Sequence, residues 1–124
     1  MKMLVLMTIS LGWMVTTALA DVDAVKGEKV FKRCTACHVN TDTTNKVGPH
    51  LVGVVGRRVA GVEGYAYSTG MKEYGASQDI WDEAALSAYL RNPKAVVAKT
   101  KMAFAGIKKE DELADLIAFL KSKS

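Results

Sequence analysis

Residues 34–38 read Cys-Thr-Ala-Cys-His, and they hold both cysteines of the 124-residue chain. Two thiols three residues apart, followed at once by an imidazole, form the C-x-x-C-H pattern by which c-type haem is attached. The spacing has a physical sense. Near a helix end each thiol can form a thioether with one haem vinyl, and the next histidine is then held beneath the iron as an axial ligand. Cys34 and Cys37 are the expected attachment points, His38 is the expected ligand to iron, and one covalently bound haem c is the expected cofactor. Competing chemistries fit less well. A redox disulfide of this spacing belongs with a βαβ pattern that is missing here. A zinc site needs further ligands, and the only other histidine is His50.

The N-terminus sets the compartment. Residues 1–20 read MKMLVLMTISLGWMVTTALA. Lys2, an apolar stretch and the ending Ala18-Leu19-Ala20 are the three parts of a secretory signal peptide. The expected cut falls between Ala20 and Asp21 and leaves 21–124 as one domain, a length suited to a single core. Met3 to Leu19 is only just short of a membrane span, so retention as an anchor is the rival reading. Thr8, Ser10, Thr16 and Thr17 dilute the stretch, and the A-x-A ending favours cleavage. No second apolar run of that length follows, so the product is expected in the periplasm, soluble and without stable membrane insertion.

Beyond position 20 the regular patterning is thin. Gly27, Phe31 and Cys34 fall at i, i+4 and i+7, so Asp23–Cys34 reads as a short helix. From about Val39 to Gly75 glycine recurs seven times, which predicts long loops with at most a brief helix near Gly70–Tyr74. Loops of such length are uncommon unless they serve a site. Asp82–Arg91 reads as a helix with acids in its first turn and Asn92-Pro93 as its stop. Thr100–Ile107 is irregular. Leu113, Leu116, Ile117 and Leu120 then mark a last helix over Lys109–Lys121, acidic at its start and basic at its end as the helix dipole favours. No strand-like alternation appears, so the class is all-α and loop-rich. Composition adds one constraint: alanine supplies 14 of the 47 apolar residues after position 20. Short helices on so little bulk are marginal, and a porphyrin in the interior supplies what is missing.

A haem held by His38 raises the question of the opposite axial position. After position 20 the candidates are Met102, Met71 and His50, or an open site. Met102, in the loop Lys99-Thr100-Lys101-Met102-Ala103-Phe104, is favoured. Met71 reads as a gap-filler or surface residue, and His50, after Gly48-Pro49, as structural or solvent-facing. A thioether opposite an imidazole raises the potential relative to two imidazoles. It also closes the iron to oxygen and peroxide, which points to electron transfer. An open or labile sixth position would instead suit a haem enzyme or a gas or peroxide sensor.

In their order and spacing, these motifs resemble the class I cytochrome c family, most closely its bacterial cytochrome c₂ type. The resemblance runs over essentially all of 23–122. It is carried by Gly27 and Phe31, the haem motif, Val47-Gly48-Pro49, Gly56-Arg57, Gly64-Tyr65-Ala66-Tyr67 and Trp81. It continues through Tyr89-Leu90-Arg91-Asn92-Pro93, Thr100-Lys101-Met102-Ala103-Phe104-Ala105-Gly106-Ile107 and Leu116-Ile117-Ala118-Phe119-Leu120. It implies short helices wrapped around one haem, ligated by His38 and Met102. It implies that the Pro49 carbonyl accepts from the His38 ring, and that Arg57, Tyr67 and Trp81 meet the haem propionates. Tyr89 and Thr100 would tune the Met102 sulfur and its loop. Gly27 and Phe31 would pack against Leu116 and Phe119. The loop Ser68–Ile80 is longer than in the mitochondrial type, so the buried polar residue usual there has no match.

Charge suggests how such a carrier would dock. The chain has 17 Lys and Arg against 13 Asp and Glu, a formal charge of +4. Asn92–Lys109 carries Lys94, Lys99, Lys101, Lys108 and Lys109 without an acid, Thr43–Val62 carries Lys46, Arg57 and Arg58, and Lys32 and Arg33 precede Cys34. These groups are expected around the exposed haem edge, steering acidic redox partners. The resemblance implies a monomeric carrier, not an enzyme, with a cytochrome bc-type complex as donor. A terminal oxidase, photosynthetic reaction centre or peroxidase would be the acceptor. Nucleic acid would explain the charge but neither the haem motif nor the export signal.

Overall fold

The computed structural model describes Gly12 and residues 22–123. The expected signal segment, Gly12 apart, and its cleavage point lie outside the described residues. Among those residues the chain forms five short helices and no strand, with one isolated antiparallel bridge between Arg58 and Ile80. None of these helices is long and apolar enough to cross a membrane.

Helix α1 (Ala24–Phe31) starts where Asp23 caps it, its carboxylate accepting from the amides of Val25 and Lys26 at 2.8 and 3.2 Å. It stops at Phe31, three residues short of the expected end at Cys34. Bonds of the i to i+3 kind tighten the chain there, from Arg33 N to Val30 O and from Cys34 N to Phe31 O. The cysteine motif thus lies in a run of turns after the helix. Helix α5 (Glu110–Lys121) begins with Glu110, Asp111 and Glu112 and ends with Lys121, as expected from the dipole. It lies across α1. The Phe31 and Phe119 rings are 5.3 Å apart, Gly27 sits against Asp115 and Phe119, and Asp23 N donates to Asp115 Oδ1 at 2.8 Å. Leu113 and Leu116 beneath this crossing are almost wholly buried.

Two helices differ from the expectation. Helix α2 (Thr69–Ser77) is nine residues long, not a brief turn, because the Ser68 hydroxyl caps it by accepting from Met71 N at 3.1 Å. Helix α3 (Glu83–Arg91) is capped by Asp82 and ends at Asn92 as read. Yet Pro93 does more than stop it. With φ preset and no amide to satisfy, it opens the four-residue helix α4 (Pro93–Val96). Val30, Phe31, Leu86, Tyr89, Val97, Ile107, Leu113 and Leu116 form the core of these helices, and Phe31, Leu86, Tyr89 and Leu116 among them also line a large cavity.

Candidate functional site

The cavity measures about 400 Å³. Its walls include all ten residues singled out from the sequence: Cys34, Cys37, His38, Pro49, Arg57, Tyr67, Trp81, Tyr89, Thr100 and Met102. Segments up to 68 residues apart in the chain therefore converge on one space. The turns after α1 deliver the motif: Cys37 N and His38 N both donate to Cys34 O, at 3.1 and 2.9 Å. No disulfide joins the two cysteines. Burial pushes the Cys34 thiol up to about 11, against the opposing charge of Arg33.

His38 is held closely. Its Nδ1 lies 2.7 Å from the Pro49 carbonyl oxygen, and since a carbonyl can only accept, Nδ1 carries the proton and donates. Nε2 is then left with a lone pair, the form in which imidazole binds a metal. Burial, with Arg57 and Lys46 adding to it, lowers the His38 pKa below the ordinary histidine value although the Pro49 bond opposes the shift, which favours the neutral ring. Gly48 lies against this ring so closely that any Cβ there would collide with it.

The wall around Met102 is built from side chains. The Tyr89 hydroxyl and Thr100 Oγ1 are 2.8 Å apart, and Met102 N donates to the same Oγ1 at 3.3 Å. Trp81 is buried between Tyr74 and Tyr89, with ring centroids at 5.6 and 5.2 Å. Arg57 Nη1 donates to the carbonyls of His50 and Val52, while its Nε is buried without a partner. The Tyr67 hydroxyl accepts from Val62 N at 3.0 Å and keeps its own proton to donate.

The rival ligand candidates separate here. His50, read as structural or solvent-facing, does not line the cavity; its amide donates to Asn45 Oδ1 and its carbonyl accepts from Arg57. Met71, read as a gap-filler or surface residue, is half-buried and lines the cavity together with Met102. Val47, Leu51, Ser68 and Phe104 also contribute walls that sequence reasoning did not assign. Tyr65, within a quoted motif but given no role, lines the space while its hydroxyl donates to Val47 O at 2.7 Å.

The lining suits a flat apolar macrocycle with acidic edges. Most of the wall is aliphatic or aromatic, thiols stand beside a metal-competent imidazole, and the orphaned Arg57 Nε is a buried donor wanting an anion. A family model described as cytochrome c matches residues 24–124. The chain belongs to the cytochrome c family. It is 47% identical over 98 residues to cytochrome c-550 of Ancylobacter novellus, covering 78% of this chain and 92% of that protein. It is 49% identical over 105 residues to a cytochrome c2 of Rhodomicrobium vannielii, covering 84% and 82%. Among solved structures, cytochrome cH from Methylobacterium extorquens superposes with a TM-score of 0.73 at 45% identity, covering 82% of this chain and 99% of that one. As a cytochrome c the protein is an electron carrier, not an enzyme. It carries a covalently attached haem c with iron, and Cys34 and Cys37 fit the attachment motif.

Proposed function

We propose that the chain is an exported, single-haem electron shuttle whose iron is bound by His38 and Met102. The carrying observation is the convergence of all the expected attachment, ligand and supporting residues on one cavity. When bound, haem c supplies a one-electron couple between ferrous and ferric iron. Cys34 and Cys37 would tether it by thioethers, and His38 Nε2 and the Met102 sulfur would hold its iron. The Pro49 carbonyl fixes the His38 ring and strengthens it as a donor. Arg57, Tyr67 and Trp81 offer donors to the propionates, of which the Arg57 Nε is the one left waiting inside. Tyr89 and Thr100 hold the loop of Met102.

The lining residues that are also exposed, Arg33, Val47, Lys101 and Ala103, mark the cavity mouth. Two of the four are cationic, and Lys32 precedes Arg33 and Lys46 precedes Val47 in the chain. This basic rim around an apolar opening suits brief docking to acidic surfaces of membrane redox complexes, a bc-type donor and an oxidase, reaction centre or peroxidase as acceptor. Not every cation is available for it: Arg33 pairs with Glu112 at 3.2 Å and Arg58 with Asp79 at 3.6 Å. Residues 1–20 would direct export to the periplasm and be removed after Ala20, which N-terminal sequencing of the protein from its host would read directly.

Two measurements test the reading. The second-order rate of electron transfer with an acidic partner should fall as salt rises, and a salt-independent rate would overturn the docking surface. The reduced holoprotein should bind carbon monoxide poorly and the Met102→Ala variant readily. Ready binding by the wild type would overturn the closed sixth position.

A further inference from the structure

Two methionines face the cavity, and only one is needed as a ligand. Met102 stands on a loop; Met71 stands in the first turn of α2, fixed by the Ser68 cap. The segment 65–71 runs alongside the segment 97–101. At one end Gly70 abuts the Ala98 carbonyl so closely that a Cβ would collide with it, with Val97 Cγ1 next to it. At the other end Lys101 Nζ donates to Ala66 O at 2.6 Å and lies 5.9 Å from the centre of the Tyr65 ring. Lys101 is exposed, and both segments line the cavity, through Tyr65, Tyr67, Ser68 and Met71 on one and Thr100 and Met102 on and just beyond the other.

We propose that Met71 is a positioning residue that closes this seam with its thioether side chain, keeping water and small ligands away from the Met102 side of the haem. An unbranched, polarizable side chain fills an irregular gap without bringing in a hydrogen-bonding group. What it shields is a short polar chain, Tyr89 hydroxyl to Thr100 hydroxyl to Met102 amide. Water admitted there would compete for those bonds and loosen the loop that carries the ligand. Placing the seal on a capped helix, not on the loop itself, lets Met102 move without opening its own cover.

The proposal rests on Met102 being the ligand, and the test separates the two claims. Ferric holoprotein is titrated with imidazole for the wild type and for Met71→Leu, Met71→Ala and Met71→Gln, while the near-infrared band of thioether ligation is followed. Met71→Leu, apolar and of similar volume, should bind imidazole within about twofold of wild type, whereas the Ala and Gln variants should bind it roughly tenfold more tightly, a ratio set by about 1.4 kcal/mol. Before imidazole is added, all three should keep the band. Equal imidazole affinity for all four proteins, with the band present throughout, would overturn the seal alone. So would a Leu variant as loose as the Gln variant. A wild type without the band, or a band lost in Met71→Leu, would overturn Met102 ligation itself.

Discussion

On the His38 side of the cavity the backbone is tied at short intervals: His38 N to Cys34 O, Gly48 N to Cys37 O and Leu51 N to Val39 O, each between 2.8 and 2.9 Å. On the Met102 side, among the described residues, no backbone amide from Lys101 to Gly106 donates to a backbone carbonyl. That stretch is held by side chains and by its two ends. Thr100 and Lys101 hold one end through Tyr89 and Ala66. Ile107 N to Leu90 O at 2.9 Å, Lys108 Nζ to Arg91 O and the Arg91–Glu110 pair hold the other. Lys99, just before the stretch, even adopts φ +57, the left-handed region that costs a side-chain-bearing residue energy. The contrast assigns different tasks. The proposed ligand His38 is prepositioned by the main chain, and the proposed ligand Met102 sits on a stretch without backbone bonds of its own, the kind that opens locally.

The largest effect should come from crowding the rigid side. Gly48→Ala forces a Cβ into the His38 ring and should cost about 3 kcal/mol in denaturant unfolding of the holoprotein. A loss below about 1 kcal/mol would mean that this wall yields, and that the two sides differ less than the bonding suggests. On the looser side, Tyr89→Phe removes one hydrogen bond and should cost about 1 kcal/mol, with Thr100→Val non-additive to it in a double-mutant cycle. Full additivity would show that the 2.8 Å contact does not couple the two residues. Smaller again, Lys99→Gly should stabilise by about 0.5 kcal/mol, since relief of the left-handed conformation slightly exceeds the entropy that glycine adds to the unfolded chain. Destabilisation would remove the strain from the account.

The smallest effect lies at the far anchor of the loop. The hydrogen bond from Arg91, together with its charge, lowers the exposed Glu110 carboxyl below the usual glutamate value. A depressed carboxylate contributes stability above its unfolded pKa and loses it as pH falls through the folded value. Unfolding midpoints of wild type and Glu110→Gln should therefore differ slightly near neutral pH and converge in acid. A gap that widened with acidity would have the wrong sign. High salt should shrink the neutral-pH gap, because both partners face solvent.

The same contrast decided what was legible in the sequence. Local signals were enough for α1, α3 and α5, where Asp23 and Asp82 cap and apolar spacing repeats. The attachment motif needed only five adjacent residues. Helix α2 was harder to see because Gly70 and Gly75 weaken its pattern, and its start depends on the single hydroxyl of Ser68. Helix α4 was hidden because Asn92-Pro93 closes one helix and opens the next. The gap that Met71 fills was hidden for another reason. Its place on the cavity wall depends on where the 65–71 segment runs past Ala98 and Lys101, a tertiary relation that no local spacing records. His50, adjacent in sequence to Pro49 and read as structural or solvent-facing, lies off the wall.

The central claim is that two side chains from these unlike walls, His38 and Met102, bind one iron between them. Near-infrared absorption of the ferric holoprotein tests it most directly. The wild type and Met71→Leu should both show the weak band of thioether-to-iron ligation, and Met102→Ala should lack it. A wild type without the band, or a band surviving in Met102→Ala, would contradict the account.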